Sequence, residues 1–228
     1  MAKDQAAAGL ARRTRFRVAV ATAFAASALG YELPAGAGSG EYVVDAERSK
    51  LMVHVFRAGA FSPLLHDHHF AATNWNARTS FDPDRPGDTR ATVTVQASSL
   101  RDQQPALSEK DLAKVNAQVQ GPEVLDAARH PTVRFELERL ELAPGALDAA
   151  KGVLRGKLVG TLTLHGQTRR ISIPVAAKWS SDWLAVNGKV AFRQSDFGIK
   201  PYRKMGGAIA VQDAVEVELA LNATREKK

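Results

Sequence analysis

Three of the six histidines fall within four consecutive positions, His66, His68 and His69, with Asp67 among them. On an extended chain, side chains two apart share a face, so His66 and His68 point one way and Asp67 and His69 the other. Neutral imidazoles at that spacing suit a divalent transition metal, with His54, His130 or His165 as a third ligand. The same residues also read as a polar loop of locally hydrogen-bonded rings. A third reading is a cradle for a polar headgroup, whose attraction to phosphate grows as the rings protonate. All three stay open at this point.

Other catalytic arrangements are thin. Ser49, His165 and Asp196 supply the residue types of a triad, but their positions are better explained by turns and strand ends. Asp213 stands among apolar residues and is expected to meet an arginine or a backbone donor. No nucleophile elbow, phosphate-cradling glycine loop or His-Glu-x-x-His helix is present. The absence of cysteine excludes disulfides, thiolate nucleophiles and cysteine-held metals. The expectation is a protein that is not an enzyme and carries no cofactor, a divalent transition metal at His66, His68 and His69 being the alternative.

The chain has 228 residues and 31 Lys plus Arg against 24 Asp plus Glu, a net charge of +7. Residues 1–40 hold five basic and two acidic side chains, so the remainder carries only 26 against 22. With no basic stripe interleaved with aromatics, nucleic acid is not an expected partner. Arg12, Arg13, Arg15 and Arg17 precede the apolar run Val18–Leu29, the pattern of a secretory signal peptide over residues 1–30. A glycine- and alanine-rich linker is expected over 31–40 and one domain over 41–228, in the periplasm or secreted.

That domain reads as strands, because apolar residues recur at every second position. Expected spans are Lys50–Arg57, His69–Phe81, Thr89–Ala97, Thr132–Leu142, Val153–His165, Arg169–Trp179, Trp183–Gln194 and Ala208–Asn222. A phase slip at Arg139-Leu140 predicts a bulge. Polar turns are expected at His165-Gly166-Gln167 and at Asn187-Gly188, and short connections favour antiparallel neighbours. One helical insertion is expected over Ser108–Ala128, opened by Ser108 as N-cap and interrupted at Gly121-Pro122. The fold class is thus all-β with one short helical insertion, an eight-stranded antiparallel sheet closing into a barrel. Periodicity alone leaves a filled core and a hollow lumen equally open.

Four stretches resemble the YceI-like family of exported, lipocalin-like barrels associated with polyisoprenoid and other long-chain lipids. They are Tyr42–Leu51, Glu123–Phe135, Val159–Val175 with its Leu164-His165-Gly166 hairpin, and Phe192–Ile199 together with Val211–Ala223. The resemblance implies an apolar lumen with Val53, Val55, Trp75, Val93, Val95, Phe135, Leu162, Ile173, Val190 and Phe192 as candidate ligand-binding residues. It also implies a long-chain isoprenoid or other amphiphilic lipid as partner, with membrane contact and a homodimer left open. The histidine cluster departs from the family, which usually has a short glycine-containing passage there. The basic run Lys200–Lys204 reads as solvated surface, with anionic lipid headgroups as a further option.

Overall fold

The computed structural model describes residues 40–226, where the period-two pattern is drawn out as strands. In chain order these are β1 (Gly40–Val44), β2 (Lys50–Ala58), β3 (His68–Ala72), β4 (Trp75–Phe81), β5 (Arg90–Gln96) and β6 (Leu100–Asp102). After helix α1 (Glu109–Gln120) come β7 (Thr132–Asp148), β8 (Val153–Leu164), β9 (Gln167–Trp179), β10 (Trp183–Arg193), β11 (Arg203–Lys204) and β12 (Ile209–Arg225). The expected signal peptide and most of the expected linker lie outside the described residues. No helix among the described residues is long and apolar enough to cross a membrane.

The strands form an eight-stranded closed antiparallel barrel, because six of the short ones are halves of three creased strands. β1 and β2 together run beside β4 and β3, which run beside β5 and β6. From β5 the wall continues through β7, β8, β9, β10 and β12, and β12 returns to both β1 and β2. The creases lie side by side and are stitched by short polar side chains. Thr73 Oγ1 donates to the Ser99 carbonyl at 2.8 Å, and Ser99 Oγ to the Asn74 carbonyl at 3.1 Å. In the first crease the Asp45 carboxylate accepts from the amides of Glu47 and Arg48, while Ser49 Oγ accepts from the Asn222 amide.

The expected single strand His69–Phe81 is therefore two. The break at Thr73-Asn74 shifts the alternation by one residue, so Phe70 rather than Ala71 continues the inward row of Trp75, Ala77 and Phe81. The predicted slip is present as a register shift between Leu137 and Arg139, yet β7 runs on to Asp148. His165 (φ 50°) and Gly166 (φ 71°) form the two-residue β8–β9 turn, whose left-handed pair matches strand twist. Asn187-Gly188 is not a turn: both residues lie inside β10, paired with β9 and β12. A Cβ on Gly188 would lie 2.9 Å from the Pro174 carbonyl oxygen, so glycine there serves close packing against β9.

Helix α1 starts where Ser108 Oγ accepts from the Asp111 amide at 3.2 Å. It ends at Gln120, and the helical turn expected over 123–128 is instead a series of backbone turns. In these, Asp126 N–H donates to the Gly121 carbonyl and Ala127 N–H to the Gln120 carbonyl. Pro122 cannot donate to continue the ladder. The helix covers the place where β6 has no β7 partner. Asn116 Oδ1 accepts from the Asp102 amide at 2.8 Å, and Gln120 Nε2 donates to the Leu100 carbonyl at 3.3 Å, replacing ladder bonds.

Candidate functional site

The inward rows of the strands do not meet. They enclose a cavity of about 590 Å³. At one end the barrel is plugged by Tyr42, Phe81, Trp179 and Leu184, with the Phe81 and Trp179 rings edge to face at 5.1 Å. Toward the other end, α1 and the turns after it contribute Val115, Val119, Val124 and Leu125, and Ile199 comes from the loop after β10. Walls of Val, Leu and Ile supply no hydrogen bonds, so they select for apolar surface rather than for a particular polar group.

Val53, Val55, Val93, Val95, Phe135, Leu162, Ile173, Val190 and Phe192 all border this cavity. Trp75 does not: it points inward but is buried between Val95 and Ala77, against Leu51, Val93 and Leu221. Its indole is wide enough to fill its own corner of the barrel. Lining residues absent from the candidate set include Phe70 and Ala72, hidden by the phase shift at the second crease. The α1 residues were not visible either, since nothing in the helix sequence alone says which end of a barrel it covers.

Polar lining residues gather where α1 meets the loop before β12. Lys114 and Gln118 come from α1, Tyr202 and Lys204 from the basic run, Gln194 from the end of β10, and His68 from β3. Lys204 lies over the Tyr202 ring, 5.5 Å from its centroid. Part of the run expected to be solvated surface thus lines the cavity. Arg78, Thr79 and Thr89 form a second polar group on the lining. A smaller cleft of about 300 Å³ adjoins the first group, between Leu64, His66, His68, Leu107 and Tyr202.

The wall divides the histidine cluster. His66 lies in the loop before β3 and borders the smaller cleft with His68. His68 Nδ1 donates to the buried Asp102 carboxylate at 2.6 Å, and Asp102 also accepts from the amides of His69 and Gln104. His69 faces outward, its Nδ1 2.7 Å from Nδ1 of His54, whose Nε2 lies 3.4 Å from Glu218. The triad types are likewise apart: Ser49 bonds Asn222, and His165 bonds the Phe197 carbonyl. Asp213 accepts from both Oγ and N–H of Ser195, which hold its carboxyl below the usual range. The backbone donor expected for it is present, accompanied by a hydroxyl.

A family model for the YceI-like domain matches residues 42–223. The chain belongs to the YceI-like family. No curated protein matches it. Among solved structures, this YceI-like chain resembles Burkholderia cenocepacia BcnA at 21% identity and TM-score 0.62, over 79% of this chain and 99% of that one. A polyisoprenoid binding domain from Saccharophagus degradans, implicated in plant cell wall breakdown, matches at 14% identity and TM-score 0.58, over 81% and 98%. A mutant Campylobacter jejuni YceI protein matches at 15% identity and TM-score 0.53, over 68% and 83%. At these identities the likeness concerns the barrel, and the YceI-like fold is what they share.

Proposed function

We propose that this protein is an exported, non-catalytic carrier that holds a long-chain isoprenoid or related single-chain lipid along its barrel cavity. The observation that carries the reading is the apolar cavity itself, plugged at one end by Tyr42, Phe81 and Trp179. Its volume falls in the range of small-molecule sites. Each methylene withdrawn from water contributes about 0.8 kcal/mol. Ten of them therefore give roughly 8 kcal/mol before the cost of immobilising the guest. The headgroup sits at Lys114, Gln118, His68, Tyr202 and Lys204, the polar group beside α1.

Export rests on the basic-then-apolar start of the chain and places the carrier in the periplasm or outside the cell. Passing contact with a membrane rests on Leu64 (81% exposed), Met205 (69%) and Phe61 (43%), with Arg57, Arg203 and Lys204 close in sequence or space. Apolar side chains among cations suit an anionic bilayer surface.

Organic extraction of the purified protein followed by mass spectrometry tests the carrier reading. A co-purified prenyl or alkyl chain, displaced by added geranylgeraniol, is the expected result. No extracted lipid and no saturable binding of prenyl alcohols would sink it. Sedimentation with phosphatidylglycerol vesicles tests the membrane contact, which a Leu64→Glu/Met205→Glu variant is expected to lose.

A further inference from the structure

The sequence raised a metal at His66, His68 and His69, but the structure brings a different set together. The ligand atoms of Asp126, His130 and His165 lie within 4.8 Å of one another, a convergence that occurs nowhere else among the described residues. The three come from separate parts of the chain. Asp126 and His130 belong to the turns that follow α1 and cover the cavity. His165 stands in the β8–β9 turn at the rim of the barrel. We propose that these residues form a site for a divalent transition metal of the zinc class, which fastens the helical cover to the barrel wall.

Three features beyond proximity prepare the site. His165 Nδ1 lies 3.2 Å from the Phe197 carbonyl, to which only a protonated nitrogen can donate. Its Nε2 is then left with a lone pair for a metal. Metal-binding histidines commonly fix their tautomer in this way. Asp126 is 4% exposed and holds φ at 46°, a costly conformation for a residue other than glycine, which carries its carboxylate under the cover rather than into solvent. His130 packs against the turn itself: a Cβ on Gly166 would lie 2.6 Å from the His130 ring, so the glycine lets the two rings approach to 5.1 Å.

Two imidazoles and one carboxylate are the ligand set of three-coordinate protein sites for zinc, with solvent in the fourth position. Metal–ligand bonds of about 2.0–2.1 Å place ligand atoms roughly 3.3 Å apart in a tetrahedron. The cluster must therefore contract by about 1.5 Å at its widest, which χ rotations of half-buried His130 and His165 can supply. Asp126 Oδ2 also accepts from Arg129, whose side chain is 75% exposed. That guanidinium can remain on one carboxylate oxygen or swing into water when a dication arrives.

The experiment is titration of the untagged, chelator-stripped protein with ZnCl₂ by calorimetry, repeated with CoCl₂ by absorption. Expected are one equivalent bound, visible d–d bands for Co²⁺, and a thermal midpoint raised by roughly 5–10 °C at metal a hundredfold above Kd. His165→Asn keeps a residue that tolerates the left-handed turn, and His130→Gln keeps a polar ring-sized neighbour. Each should weaken binding at least about tenfold. Both should match the wild-type midpoint in chelator, which separates ligand loss from misfolding. His68→Ala should bind metal as the wild type does. Absence of saturable binding, or binding that survives in both His130→Gln and His165→Asn, overturns the proposal. So does binding that only His68→Ala abolishes.

Discussion

Tyr42 and Ser195 show how single side chains set the pH range of the fold. Tyr42 is 1% exposed within the plug, and its hydroxyl has no hydrogen-bond partner among the described residues. Burial pushes its ionisation above the ordinary value of 10.0, offset in part by Arg225. The unfolded chain therefore gives up this proton first. The contribution is whole below pH 10 and is lost as pH rises through the folded value. Tyr42→Phe removes the unpaired hydroxyl and should be neutral or stabilising by about 1 kcal/mol, with a flatter alkaline limb in denaturant midpoints. Asp213 has the opposite sign. Ser195 stabilises its carboxylate, so that contribution is present above the unfolded carboxyl range and disappears as pH falls through the lowered folded value. Ser195→Ala should cost about 1 kcal/mol at pH 7 and lessen the loss seen between neutral pH and pH 3.

Among the elements, the three creased strands and α1 decide what the barrel can hold. Creasing β1/β2, β3/β4 and β5/β6 lets one sheet bend while keeping its apolar rows inward. It leaves β6 without a neighbour on the β7 side, and α1 occupies that gap. Asn116 is the fastening, because its Oδ1 satisfies the Asp102 amide beside the carboxylate that holds His68. Asn116→Ala leaves that amide unpaired and should destabilise by about 1–3 kcal/mol. Hydrogen exchange should show faster exchange in α1 and β6 than in β8 and β9. Equal protection throughout would mean that the helix is held by its apolar contacts alone.

For the molecule as a whole, the question is what occupies the interior. Folding normally brings apolar rows into contact to native packing density. Here closure of eight strands fixes the separation of the walls, α1 and the aromatic plug cover the two ends, and a cavity of about 590 Å³ persists between them. A guest chain would supply the missing contacts. Val93→Trp, projecting from the β5 wall into this space, should retain the fold while reducing prenyl alcohol affinity at least tenfold, read by fluorescence titration. Unchanged affinity would place the guest elsewhere.

Much of this was legible in the chain. The alternation from Lys50 to Asn222, the Leu164-His165-Gly166 hairpin and the slip at Arg139-Leu140 follow from local patterns, since side-chain period and turn conformation are properties of a few neighbouring residues. Nine of the ten proposed lumen positions, all but Trp75, border the cavity for the same reason: alternate residues on a strand share a face. The family followed from motifs spread over residues 42–223. The break at Thr73-Asn74 was not legible, because a one-residue shift shows only when both halves have found their partners. Nor was the whole fate of the histidines. Alternation sets His68 and His69 on opposite faces, as the structure has them, but no local pattern shows that folding gathers Asp126, His130 and His165 from the cover and a distant hairpin. Which side chains converge, and whether a space remains between them, depends on long-range contacts that no local pattern contains.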